Sequence, residues 1–221
     1  ENYSGLERIR YTTSHPRDMT DSLINVYKHS KKLMPLVHLP VQSGSNKILD
    51  LMNRKHTIRS YLEIFYKLKE INSNIEFSSD FIIAYPGENE NDFNDTLRLI
   101  DEVKFINSYS FVFSPRPGTN ASTLPLVDKK KSFERLEIVQ KKLFDNQIEM
   151  NKSLENKIIN VLVENRTDDK SKLFARSEYM TSVLFSGSDN LIGKIVKVKI
   201  QNCNQNTLFG EIANQSNQKV A

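Results

Sequence analysis

Four short strings in the first part of the chain gather polar, Gly and Pro residues in patterns that could do chemistry. Ser79-Asp80-Phe81-Ile82-Ile83-Ala84-Tyr85-Pro86-Gly87-Glu88 sets one carboxylate within an apolar run. Burying Asp80 is costly without a partner, so the run implies either a structural ion pair or an interior cavity with something polar in it. Pro86-Gly87 lets backbone approach a ligand closely, and Glu88 could equally be a first-turn helix charge. His38-Leu39-Pro40-Val41-Gln42-Ser43-Gly44-Ser45 ends in a Gly-Ser turn whose exposed N–H groups suit an anionic or polar ligand. Gln42 offers a donor and an acceptor, while His38 has the setting of a satisfied core histidine. Ser114-Pro115-Arg116-Pro117-Gly118-Thr119 holds one arginine on a stiff loop, suited to a carboxylate, a phosphate or a base edge, or simply to the surface. Arg10-Tyr11-Thr12-Thr13-Ser14-His15-Pro16 ends a strand with hydroxyls and an imidazole, and reads equally as a capped strand end with Pro16 opening a helix. No dinucleotide fingerprint, lysine-bearing phosphate loop or serine elbow occurs, and no residue is an obvious general base, so the catalytic residue is unknown from sequence.

These strings need elements to position them. Hydrophobic spacing predicts strands at Ile9–Thr13, Leu36–Val41, Glu76–Tyr85 and Ser108–Phe113, and helices at Thr20–Lys31, up to Met52, at Ile58–Ile71, at Asn91–Val103 and from Asp128 to about Asn156. Regular strand–helix alternation means βαβ units and a parallel sheet. Right-handed crossovers put every strand's C-terminal end, and so all four strings, on one rim. Four strands cannot close an eight-stranded barrel, so an α/β partial barrel or open sheet is expected, with an unpaired edge at Ile9–Thr13 that favours association.

After residue 157 the pattern changes. Ile158–Glu164, Leu173–Arg176, Ser182–Phe185, Lys194–Gln201 and Thr207–Ala213 read as five short strands of a small β-barrel, the size of an oligonucleotide-binding module. Val196, Val198 and Ile200 share one face of their strand, Lys197 and Lys199 the other. The expected domains are therefore 1–156, 157–216 and a polar tail at 217–221. The 221 residues carry a net charge of +4, of which the smaller C-terminal part holds +3, a balance that suits a nucleic-acid surface without establishing one. A single cysteine, Cys203, excludes an internal disulfide and any multi-cysteine metal site built from this chain alone. It reads as an ordinary strand cysteine. No apolar run approaches the roughly 18 residues that span a bilayer and no basic-then-apolar leader opens the chain, so the expected compartment is the cytoplasm. The chain opens on Glu1 and runs almost at once into a strand, as a domain does that begins part-way through.

Taken together and in this order, the four strings resemble those of the methylthiotransferases of the radical S-adenosylmethionine superfamily, and the β module resembles the TRAM domain that ends those enzymes. Arg116-Pro117-Gly118 looks like the branch that acts on tRNA; the branch acting on a ribosomal-protein aspartate usually has acidic residues there. The family reads Gly-Phe-Pro-Gly-Glu where this chain has Ala84-Tyr85-Pro86-Gly87-Glu88, a departure expected to change little. By motif order the chain would start at the third strand of a partial (β/α)6 barrel.

The resemblance implies a methylthio group added to carbon 2 of an isopentenylated adenosine beside the anticodon. It implies S-adenosylmethionine and two 4Fe-4S clusters as cofactors. The family's cluster cysteines, three in an N-terminal domain and a CxxxCxxC loop, are absent from this chain, so no metal ligand is assigned here and the chain alone should not cleave S-adenosylmethionine. It implies Ser14, Gln42, Ser43, Asp80, Tyr85 and Pro86 around the cofactor, and Arg116 at substrate or cofactor. In the TRAM-like module, Arg176, Lys197 and Lys199 would neutralise the backbone of the tRNA anticodon arm, and Phe174, Phe185 or Phe209 would either stack on bases or fill the core. The enzyme would be a cytoplasmic monomer. Two rivals stand beside this reading: the ribosomal-protein enzyme, and an RNA-binding fragment without chemistry.

Overall fold

The computed structural model describes residues 3–13 and 15–213. Ser14 and the expected tail at 217–221 lie outside the described residues. Packing divides the chain into two units, Glu1–Phe144 and Asp145–Ala221.

The first unit is built on short parallel strands: β1 (Leu36–His38), β2 (Glu76–Ser78), β3 (Asp80–Ile83) and β4 (Tyr109–Val112). β1 pairs with β2 and β3 with β4, both parallel. Isolated parallel bridges at Thr12↔His38 and Gln42↔Phe81 extend the pairing, so the chain lays four extended segments side by side in sequence order. Helices α1 (Asp21–His29), α2 (Asn46–Leu51), α3 (Ile58–Ile71) and α4 (Glu90–Val103) fill the crossovers, and α5 (Lys129–Ser153) follows. The α3 stripe read from sequence is the stripe the fold uses. Tyr61, Phe65 and Leu68 are buried against Val37, Leu39, Phe77 and Phe81 of the strands, and the Tyr61 hydroxyl donates to the Leu39 carbonyl at 2.9 Å. Capping boxes open α3 at Thr57 and α4 at Asn89, each satisfying two orphan donors.

Two strand expectations change. Ile9–Thr13 is no regular strand: its backbone bonds run from Ile9 to Lys32 and Met34, and from Thr13 to His38, at its two ends only. Arg10 and Thr12 between them are exposed, and the Thr12 pairing with His38 is an isolated bridge rather than part of a ladder. Glu76–Tyr85 is interrupted at Ser79. The neighbouring segment carries Pro40, which has no N–H to give a ladder. The Ser79 hydroxyl bridges the gap instead, accepting from the Val41 N–H at 2.9 Å and donating to the Leu39 carbonyl at 3.0 Å.

The second unit holds β5 (Ile158–Arg166), β6 (Leu173–Ser177), β7 (Ser182–Phe185), β8 (Ile195–Cys203) and β9 (Thr207–Ile212), closed into a barrel in the order β5-β6-β7-β9-β8. All neighbours are antiparallel except β7 and β9. Val161, Val163, Ala175, Val183, Phe185, Val198 and Leu208 fill it. The last turns of α5 belong to this unit: Leu154, just past the helix, is part of the barrel core, and Met150 packs against it. Among the described residues no helix is long and apolar enough to cross a membrane.

Candidate functional site

At the C-terminal ends of β3 and β4 the first unit opens into a cleft of about 770 Å³. Tyr85 and Ile82 form one wall, Phe111 and Phe113 the next, Arg116 and Asn120 the loop side, and Asn53 and Arg54 the turn after α2. Tyr85 is fixed by an edge-to-face contact with Phe113, centroids 4.8 Å apart, and by its hydroxyl, which donates to the Leu51 carbonyl at 3.0 Å. Burial pushes its phenol pKa up. Arg116 starts from a held loop: its carbonyl accepts from the Thr119 hydroxyl at 2.8 Å, and Gly118 takes the positive φ of 81° that the turn needs. The structure thus brings Tyr85 and Arg116 together, with Arg54 as a second cation that no motif signalled. Burial lowers the Arg54 pKa, opposed by the charge of Asp80.

Asp80 lies on the strand face that also carries His38 and Ile82. It is not buried as the apolar run implied; its side chain is 33% exposed, and it pairs with His38 Nε2 at 3.5 Å. His38 in turn shares a 2.9 Å hydrogen bond from Nδ1 to the Ser78 hydroxyl. Neither Asp80 nor His38 lines the cleft. Gln42 is buried with a left-handed φ of 74°. Ser43 is buried too, and its hydroxyl accepts from the Ser45 N–H at 3.2 Å. Pro86 is buried and does not line the cleft.

The turns carrying these residues are clamped to one another. Asp92 of α4 accepts from the Ser45 hydroxyl and from Lys47 Nζ, both at 2.7 Å, and Lys47 also donates to the Gly87 carbonyl at 2.8 Å. Lys47, the Asn89 N–H and Ser45 together hold the Asp92 carboxyl pKa down, although burial pushes it up. Glu88 accepts from Arg135 Nη1 at 2.7 Å and from the Ala84 N–H at 3.1 Å. Ala84 has φ 59°. Glycine adopts that conformation without cost and a Cβ does not, so the turn at Ala84 carries a backbone cost.

Below the rim, His56 is 7% exposed and, among the described residues, neither ring nitrogen makes a hydrogen bond of ordinary length and angle. Its ring meets that of His15 edge-on, centroids 5.1 Å apart. Burial pushes its pKa down to about 4 from 6.5, with His15 and Arg54 adding to the effect and the Val41 backbone opposing it. The native state therefore resists a proton that the unfolded chain accepts. Stability from this group is whole above pH 6.5 and is lost as the pH falls towards about 4. The full change is about 3 kcal/mol. Urea unfolding of the wild type and of His56→Phe across that window should show a steeper acid loss in the wild type; parallel curves would remove His56 as the cause.

In the second unit Lys197 and Lys199 are exposed on β8, opposite Asn160 and Ile158 of β5. Arg176 lies on β6 with its guanidinium over Phe174, and donates to the Met180 carbonyl at 3.1 Å. Phe185 is core, while Phe174 and Phe209 are half-buried. Cys203 is half-buried, its thiol pKa pushed up by burial and by Glu155. Among the described residues no three His, Cys, Asp or Glu side chains are grouped to hold a metal ion.

Residues 2–100 match the model of the Radical SAM superfamily, and residues 152–213 match that of the TRAM domain. A tRNA-2-methylthio-N(6)-dimethylallyladenosine synthase of Pelagibacter ubique (strain HTCC1062) is 68% identical over 221 residues, which is 100% of this chain and 50% of that protein. The enzyme of the same name from Wolbachia pipientis wMel is 48% identical over 208 residues, 93% of this chain and 47% of that protein. The chain spans about half the length of the curated relatives it matches. Among solved structures, the radical SAM enzyme coproporphyrinogen III oxidase (HemN) of Escherichia coli superposes with a TM-score of 0.53 at 13% identity, over 88% of this chain and 46% of that one, a likeness of fold alone.

Proposed function

We propose that this chain, which carries radical SAM sequence joined to a TRAM domain, works within a tRNA methylthiotransferase that places a methylthio group on carbon 2 of an isopentenylated adenosine beside the anticodon. The parallel segments of the first unit are then consecutive strands of a partial (β/α)6 barrel, and the rim cleft is part of the S-adenosylmethionine pocket. The cleft's donor set fits that cofactor, with arginines at 54 and 116 for a carboxylate and the Tyr85–Phe113 pair as an apolar wall for a base; Asp80, outside the cleft lining but close enough for its charge to act on Arg54, adds a part-exposed carboxylate for hydroxyl or ammonium groups. Gln42, Ser43 and Pro86 shape the strand ends around it, and Ser14 belongs to the same proposed set. Bound S-adenosylmethionine, with two 4Fe-4S clusters held by cysteines this chain does not contain, supplies the radical and sulfur-transfer chemistry. The chain's own residues orient the cofactor, exclude water from the cleft and present the substrate through Arg116.

Arg176, Lys197 and Lys199 hold the anticodon arm by its phosphates. The observation that best supports the reading is the meeting of Tyr85, Arg116 and Arg54 on one cleft in a chain 68% identical to a named tRNA-modifying enzyme. We further expect a cytoplasmic monomer. The test is tRNA binding as a function of salt. Lys197→Ala with Lys199→Ala should weaken binding and lower the slope of log K against log salt by about 2, near 0.9 per lost phosphate contact. Unchanged affinity and slope would reject the assignment. Absence of tRNA binding with capture of a ribosomal protein would favour the ribosomal-protein enzyme.

A further inference from the structure

The pairings of the second unit line up an outward row that the lysine face does not include. Phe174 on β6 pairs with Leu184 on β7, Leu184 with Phe209 on β9, and Phe209 with Asn202 on β8. Their strand neighbours Leu173, Ala175, Val183, Phe185 and Leu208 point into the core, so alternation turns Phe174, Leu184 and Phe209 outward. Both rings carry a cation. The Arg176 guanidinium lies 4.8 Å from the Phe174 centroid, and Lys172 Nζ lies 5.5 Å from that of Phe209. Beside Phe209 is a hollow of about 340 Å³ lined in part by Lys172, Ser186, Gln201 and Asn202.

We infer that this row is a stacking platform for unpaired nucleobases of an RNA strand, separate from the phosphate-binding lysines. It rests on the RNA reading of the module and adds which part of the RNA is read, and where. Flat rings accept the face of any base. An arginine plane over a ring is a second stacking surface; Arg176 is held there by Glu164 at 3.7 Å and by the Met180 carbonyl and Ser182 hydroxyl at 3.1 Å each, while the Lys172 ammonium over Phe209 neutralises phosphate that follows the base. Gln201 and Asn202 bring both donors and acceptors to a base edge. The hollow is at the small end of ligand sites, the size of one base. A duplex hides its base faces and cannot use such a row, so the platform selects loop nucleotides.

The test measures binding of the whole chain to an unstructured RNA of about ten nucleotides, to a duplex, and to an abasic strand of equal charge. Phe174→Leu with Phe209→Leu keeps both positions apolar while removing the rings, and should bind the unstructured RNA at least about tenfold more weakly. Abasic and duplex binding, and the salt slope, should stay unchanged. Phe174→Tyr with Phe209→Tyr should bind as the wild type. Wild-type affinity in the leucine variant, or an equal loss on the abasic strand, overturns the platform alone if Lys197→Ala with Lys199→Ala still lowers the slope. A wild-type chain that binds none of the RNAs overturns the RNA reading and the platform together.

Discussion

Glu88→Ala should lower the unfolding free energy of the first unit by about 3–5 kcal/mol. Glu88 and Arg135 are 1% and 3% exposed at their side chains, with Oε1 and Nη1 2.7 Å apart. Removing the carboxylate leaves a guanidinium that water cannot reach. Its other contacts do not replace the loss. Nη1 keeps only a long bond to the Glu88 backbone carbonyl at 3.3 Å; Nη2 reaches Glu90, which is largely exposed, at 3.0 Å; the plane lies 5.0 Å from the Phe93 centroid; and among the described residues Nε has no partner. The Ala84 N–H loses its acceptor as well, in a residue whose φ of 59° already carries a backbone cost. Urea midpoints of the two variants Glu88→Ala and Glu88→Gln separate the contributions, because glutamine keeps an acceptor and loses only the charge. Adding Arg135→Met to Glu88→Gln should restore much of the stability, since a buried ion pair exchanged whole for neutral groups costs little. A Glu88→Ala chain as stable as the wild type would mean that Arg135 has another acceptor.

The site is coupled to this pair through one turn. Ala84 precedes Tyr85, and Tyr85 is a wall of the cleft. A slackened turn releases the Tyr85–Phe113 contact, so on the proposed function the affinity of the cleft for S-adenosylmethionine should fall in the same variants. Glu88 reads from sequence as a helix-start charge or a ligand contact; its partner is 47 residues away, on α5, and only the packing of α5 reveals it.

The same distinction separates what was legible elsewhere. The α3 stripe and the five barrel strands follow from periods of 3.6 and 2, which are local properties of the chain. The Lys197 and Lys199 face follows from the same alternation. The break at Ser79 was not legible, although its cause is written in the sequence as Pro40, because the cause acts across a strand pairing. Asp80 sits in a run that implies burial, yet its side chain is 33% exposed and its partner His38 comes from another strand, a pairing that the local run does not show. Arg54 and His56 have no motif around them. They enter the site and the acid response because the turn after α2 carries them to the foot of the strand ends, a consequence of crossover geometry. The row Phe174–Leu184–Phe209 is likewise three separate residues in sequence and one surface in register.

Gly44→Ala should cost about 3 kcal/mol, the upper end for overpacking, and on the proposed function should also weaken S-adenosylmethionine binding. A Cβ built at Gly44 would lie 2.4 Å from the Thr96 Cα and 2.6 Å from the Asp95 carbonyl oxygen and the Thr96 nitrogen. These are backbone atoms in the middle of α4, so no rotamer change relieves the clash, and one of the two segments must move. The turn cannot move freely. The Gly44 N–H donates to the Thr96 hydroxyl at 2.9 Å, and the next residue is tied to Asp92 at 2.7 Å. The displacement therefore passes backward into Ser43 and Gln42, whose left-handed φ of 74° depends on the same turn, and from Gln42 to Asp80 and Ile82 through the hydrogen bonds that join the two segments. Trimming Thr96 distinguishes this account from ordinary side-chain crowding. Thr96→Ala should cost about 1 kcal/mol for its lost hydrogen bond and should not rescue Gly44→Ala, because the obstructing atoms remain. Recovery of the double variant to the stability of Thr96→Ala alone would place the obstruction in the threonine side chain and detach the Gly44 turn from the backbone of α4.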